Sequence, residues 1–240
     1  MANAGKKEKA ITQFSTVNAL FSGLYDGQFS VQEVVEIGEF GLGCSHGIDG
    51  EVIVQGGECY VAKAGKPLEK MHHHDMLPFA QVATFHEQRT QPLANIDKEQ
   101  LTHKLLALAD TQNLFIGLKL KGTFNTVKVR RPPVVQKPYP PMMEALAKQE
   151  EEVIDKPSGT LIGFWAPKEY QGLTVAGLHV HFINDQQNGG GHVLDFELLE
   201  GQLSFELYDG FNLRLPTTRE FLQADLAYNN LDADIEKAEG

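Results

Sequence analysis

The sequence predicts an α/β protein of the α+β type in two domains: a mixed β-sheet in the N-terminal half, and an antiparallel β-sheet or barrel in the C-terminal half. Three observations predict it. Short capped helical segments and hairpin-forming strands share the first half, a proline-rich run interrupts the chain near residue 140, and beyond it strands follow one another in hairpin-like succession. The 240 residues are 42% apolar and 22% charged, an ordinary globular composition that excludes disorder as a description of the whole.

Ser15 is placed to cap a short helix carrying Val17, Leu20 and Phe21, which ends before Asp26-Gly27. A second short helix is predicted over 31–37. The glycine-punctuated stretch Gly38-Glu39-Phe40-Gly41-Leu42-Gly43 reads as irregular. Residues 51–55 and 58–62 flank Gly56-Gly57, a two-residue hairpin signal, and 79–85 reads as a further strand. Asp97, with Gln100 three residues on, makes a capping-box pattern ahead of Leu101, Leu105 and Leu108. Residues 114–120 and 123–130 are expected to pair around Gly122.

The run Pro132-Pro133 to Pro138-Tyr139-Pro140-Pro141 can be neither helix nor central strand, so it divides the chain into 1–141 and 142–240. A short helix over 142–149 follows it. Strands are then predicted over 160–165, 173–183, 192–199, 203–207 and 212–215. Thr217 with Glu220 caps a final helix, and the chain closes on a charged tail.

Charge and length exclude several functions. Lys and Arg number 21 against 32 Asp and Glu, a formal charge of −11 that gives a phosphate backbone nothing to release counterions against, so no nucleic-acid partner is expected. Apolar stretches such as 114–118 fall far short of the roughly 18–20 residues of a membrane span. Lys6, Lys7 and Lys9 precede residues too polar for a signal peptide. The two cysteines, Cys44 and Cys59, are read as reduced thiols of a cytoplasmic protein.

The most informative segment is Gly177-Leu178-His179-Val180-His181-Phe182-Ile183, followed by turn-forming residues and then His192. In a strand, His179 and His181 share one face while Leu178, Val180 and Phe182 take the other. A hairpin centred between Gln186 and Gln187 sets His192 opposite His181, where Cβ atoms lie about 4.5–5.5 Å apart. A one-residue slip would send His192 to the wrong face. Three neutral nitrogens without a thiolate suit zinc or another first-row divalent ion, with positions left open for water or substrate. His72-His73-His74-Asp75 lacks a strand period and reads as a solvated loop, while His46, His86 and His103 stand alone.

Several segments resemble a known family. Phe14-Ser15-Thr16-Val17-Asn18-Ala19-Leu20, Tyr25-Asp26-Gly27, the 38–43 stretch, Asp49-Gly50-Glu51, Pro78-Phe79-Ala80, Lys137-Pro138-Tyr139-Pro140-Pro141 and the triple-histidine hairpin are similar to those of acetolactate decarboxylases, nearly end to end. The resemblance implies decarboxylation of 2-acetolactate to acetoin with one Zn2+ per chain and no organic cofactor, the zinc acting as a Lewis acid that stabilises the enediolate; a homodimer fits the family. It implies that His179, His181 and His192 hold the zinc. Glu51 matches a glutamate after Asp-Gly, and Arg130 an arginine ahead of the Lys-Pro-Tyr-Pro run, with Arg131 adjacent. Glu239 best fits the spacing of a glutamate near the C-terminus, with Glu236 as the alternative. Cys44 stands where the family usually has threonine and is expected to line the site. The rival readings are a cupin-like metal oxygenase, which also carries a His-x-His pair on a barrel, and a non-catalytic metal-binding β-protein.

Overall fold

In the computed structural model, which describes residues 9–87, 89–227 and 231–239 apart from the side chains of Glu236 and Glu239, Glu51–Gln55 and Glu58–Ala62 pair around Gly56 and Gly57 as expected. Both glycines have positive φ, 62° and 79°, the two-residue turn whose twist matches that of the strands it joins. This hairpin lies in a seven-stranded mixed sheet ordered Gly210–Arg214, Ala10–Phe14, Phe79–Ala83, Phe40–Cys44, Glu51–Gln55, Glu58–Ala62 and Glu69–Lys70. Its first two strands run parallel and the other neighbours antiparallel.

A six-stranded antiparallel sheet follows the order Glu150–Asp155, Phe115–Arg131, Ser158–Ala166, Gly177–Asn184, Gly190–Tyr208 and Arg89–Asp97. Phe115–Arg131 also pairs with Gly190–Tyr208, so four strands close into a ring. The molecule is thus mostly β with few helices, in several sheets. Sheet membership crosses the 1–141 and 142–240 division: Arg89–Asp97 and Phe115–Arg131 pair with strands beyond it, and Gly210–Arg214 returns to the first sheet.

Alternation sorts the side chains into three cores. Leu118, Leu161, Val180, Phe182 and Phe196 fill the ring. Phe40, Leu42, Ile53 and Phe79 meet Ile162, Phe164 and Ile183 between the sheets. Phe14, Val52, Val54, Ala80 and Val82 pack on the far face of the large sheet beneath Val31 and Val34. The latter two belong to the helix Val31–Val35, which is shorter than predicted and closed by a Ser30–Glu33 capping box.

The glycine-rich segment departs from expectation. Phe40–Cys44 is a fully buried central strand, because its glycines serve close packing and not turns. A Cβ at Gly41 would lie 2.1 Å from the Gln81 carbonyl oxygen, and one at Gly43 would lie 2.5 Å from that of Phe79. Nor does Gly122 divide a strand pair: Phe115–Arg131 runs through it unbroken, and Gly190–Tyr208 likewise runs through Gly201. Gly122 faces Gly159 on one side and Gly201 on the other, a row of glycines across three strands. A Cβ at Gly122 would lie 2.3 Å from the Glu200 carbonyl oxygen, so a side chain there would push the ring apart.

The helix Lys98–Ala109 has the reciprocal Asp97–Gln100 cap and buries Leu101 and Leu105, while Leu108 is exposed and Ala109 completes the stripe. Two caps sit one residue later than predicted, at Thr16 for Val17–Phe21 and at Thr218 for Arg219–Gln223. The helix after the proline run is Met142–Leu146. Glu150–Asp155, Arg89–Asp97 and the helix Leu231–Glu239 were not foreseen. Among the described residues no helix is long and apolar enough to cross a membrane. Gly41→Ala should cost about 1–3 kcal/mol, the usual penalty of forcing atoms into a packed core, measured as a lowered urea midpoint with an unchanged slope.

Candidate functional site

His179 and His181 lie on Gly177–Asn184, whose alternate residues Leu178, Val180 and Phe182 point into the ring. The histidines therefore face the space between the sheets. The hairpin register pairs His181 with His192, as the turn-centre argument requires. The three ring centroids are 5.1–5.4 Å apart, and one nitrogen from each ring lies within 4.8 Å of the others. All three rings are buried, His181 and His192 to 1% exposure.

The donor set suits a metal ion. His181 Nδ1 donates to the Val52 carbonyl oxygen at 2.8 Å, which fixes its tautomer and leaves Nε2 to face the cluster. Burial, reinforced by the Arg130 and Lys98 charges, pushes His179 down to about 3. Burial and Arg130 hold His192 well below the ordinary histidine range, with the neighbouring imidazoles adding to the effect. Both rings are therefore neutral at physiological pH, the form that ligates a cation.

Two charged residues flank the imidazoles. Glu51 opens its strand, faces the inter-sheet core and stands 3.6 Å from His181 Nε2. Arg130 is the register partner of His192, and its Nε lies 3.6 Å from Glu51 Oε1. Both side chains are buried. Arg131 points the other way: it donates to the Gly190 carbonyl oxygen at 2.9 Å and pairs with Glu150 and Glu152 at 2.7 and 2.6 Å. Alternation thus separates two adjacent arginines, one facing the histidines and one bound to an acidic edge strand.

Cys44 pairs with Glu51 across the sheet and lines the same cavity. Burial, and then the Glu51 charge, push its thiol up, so it is a neutral thiol and not a nucleophilic thiolate. The cavity is also walled by apolar residues that the sequence reading did not assign to the site, among them Val17, Leu20, Phe21, Met142 and Val175. A short apolar site wall carries the same sequence signal as core. The cavity has a volume of about 60 Å³.

The helix Leu231–Glu239 replaces the expected tail, burying Ile235 and bringing Ala238 to the cavity. The side chains of Glu239 and Glu236 lie outside the described residues. His72, His73 and His74 are exposed on a loop, as expected. His46 Nδ1 accepts from the Gly27 amide at 2.9 Å, and His103 is exposed.

The family model for alpha-acetolactate decarboxylase matches residues 11–228. The chain belongs to the alpha-acetolactate decarboxylase family. It is 36% identical over 236 residues to the alpha-acetolactate decarboxylase of Bacillus licheniformis, covering 96% of this chain and 91% of that protein. It is 35% identical over 238 residues to that of Raoultella terrigena, covering 99% of this chain and 92% of the relative. The crystal structure of alpha-acetolactate decarboxylase from Bacillus subtilis strain 168 superposes with a TM-score of 0.94 at 34% identity, covering 96% of this chain and 99% of that one. Three imidazoles placed so that they could hold a metal ion make a separable prediction. His181→Ala should lose bound metal by elemental analysis, whereas His73→Ala should retain it in full.

Proposed function

We propose that the protein decarboxylates 2-acetolactate to acetoin and CO2, using a zinc ion held by His179, His181 and His192. What carries this reading is the placement of a buried glutamate and a buried arginine beside three clustered, buried imidazoles in one small cavity, within the family just described. The non-catalytic alternative expects Glu51 and Arg130 to lie far from the histidines, and a 3.6 Å approach of Glu51 to His181 argues against it. Three nitrogens and no thiolate suit zinc in an open site.

When bound, the ion supplies Lewis acidity toward the ketone and hydroxyl oxygens of the substrate. Arg130 binds the substrate carboxylate, its planar guanidinium offering two parallel donors from a buried position. It orients that carboxylate so that the breaking carbon–carbon bond stands out of the ketone plane. The bond's electron pair passes toward the ketone oxygen as CO2 leaves, and one proton must then reach the former carboxyl-bearing carbon. Glu51 carries that proton on its carboxyl group. Arg130, 3.6 Å from Glu51, keeps the carboxylate oriented between turnovers. Cys44 and the apolar walls exclude water, so the proton arrives from one side and sets the stereocentre.

Chelation should abolish acetoin formation and added zinc should restore it; full turnover by metal-free protein would refute the Lewis-acid role. Arg130→Ala should lower kcat/KM by about 10²–10³-fold with zinc retained, the usual cost of removing one preorganised charge-stabilising donor. Near-wild-type kinetics in that variant would dismiss the assignment of Arg130.

A further inference from the structure

Strands Ala10–Phe14 and Phe79–Ala83 each carry a side chain unlike its neighbours. Ile11, Phe79 and Ala83 face the core between the sheets, and alternation puts Gln13 and Gln81 on that same apolar face. The two glutamines are direct cross-strand partners, 0% and 1% exposed. A buried amide without partners is costly, so where its hydrogen bonds go is informative. Gln13 Nε2 donates to the carbonyl oxygens of Ser15 and Leu173, both at 2.8 Å. Gln81 Nε2 donates to Thr174 Oγ1 at 3.2 Å and to Gln13 Oε1 at 3.5 Å.

Ser15, Leu173 and Thr174 belong to two segments that contribute to the cavity wall. Ser15 sits at φ 66°, a left-handed conformation that a serine holds only when its surroundings fix it. It turns the chain into the helix Val17–Phe21, which supplies Val17, Leu20 and Phe21 to the cavity. Leu173 and Thr174 lead directly into Val175, which lines it from the other segment. The segments also bond to each other: the Val17 amide donates to the Leu173 carbonyl oxygen at 3.1 Å and the Asn18 amide to that of Gly172 at 2.9 Å. From a central strand, the Gln13 side chain therefore reaches both walls at once.

We propose that Gln13, Gln81 and Thr174 are positioning residues that hold the Val17–Phe21 helix and the 171–176 loop at a fixed separation, and so set the size of alkyl group the cavity accepts. This rests on the decarboxylase reading for the identity of the substrate. The network touches no reacting atom. It fixes where Val17 and Val175 stand, and one methylene in an apolar pocket is worth about 10–200-fold in discrimination.

The test uses zinc-loaded full-length protein and three variants. Thr174→Val is close to isosteric and removes the hydroxyl acceptor, Thr174→Ser keeps it, and Gln13→Leu removes both donated bonds. Hydrogen exchange at the Val17 and Asn18 amides is measured together with kcat and KM for 2-acetolactate and for its ethyl homologue, 2-aceto-2-hydroxybutyrate. Thr174→Val and Gln13→Leu should speed exchange at those amides by about three- to tenfold. They should also shift the ratio of kcat/KM for the two substrates by about tenfold, chiefly through KM, and leave zinc content unchanged. Thr174→Ser should restore both readings. Unchanged exchange in both disruptive variants overturns the proposal. So does faster exchange with KM and the substrate ratio at wild-type values, which would leave the network a merely structural role. Failure of the wild-type protein to act on 2-acetolactate would count against the functional reading alone, because exchange at the two amides is read without turnover.

Discussion

The strict alternation of side chains along Gly177–Asn184 is the constraint on which the site depends. Leu178, Val180 and Phe182 are committed to the interior of the four-strand ring, and that commitment forces His179 and His181 outward, toward the large sheet. The same rule on Phe115–Arg131 buries Val127 and Val129 and turns Arg130 toward the histidines. On Glu51–Gln55, Val52 and Val54 take the far face, so Glu51 and Ile53 take the near one. With His192 on Gly190–Tyr208, four strands from two sheets therefore deliver five polar side chains to one apolar interface. The apolar alternation that fixes each register also fixes where those groups stand.

Much of this was legible in the sequence. The histidine hairpin could be registered from the position of its turn alone, because period two leaves only odd or even choices and the Asn184–Gly191 stretch marks the reversal. The Gly56-Gly57 hairpin and the Asp97–Gln100 cap are local signals, and local signals survive folding. Arg130 and Glu51 stood out only through the family resemblance, since a lone buried charge has no local signature.

The rest was hidden for identifiable physical reasons. Phe40–Cys44 looked like a loop because glycine in a strand carries the same letter as glycine in a turn; only the approach of the Gln81 and Phe79 carbonyls separates the two uses. Gly122 and Gly201 misled in the same way, and so split two long strands. Glu150–Asp155 and Arg89–Asp97 are outer strands, one rich in acids and the other carrying Pro92, and outer strands need no apolar alternation. The apolar cavity walls were hidden by resemblance to core, which they are on every side but one.

The hydrogen bonds that join those walls are made by amides, a hydroxyl and backbone carbonyls. None of these groups gains or loses a proton near neutrality, and mobile ions screen full charges far more than dipoles sealed in a core. The separation of those two walls is thereby insulated from acidity and ionic strength. Changes in the surrounding medium reach the reaction through its charged groups, while the shape in which they act stays constant.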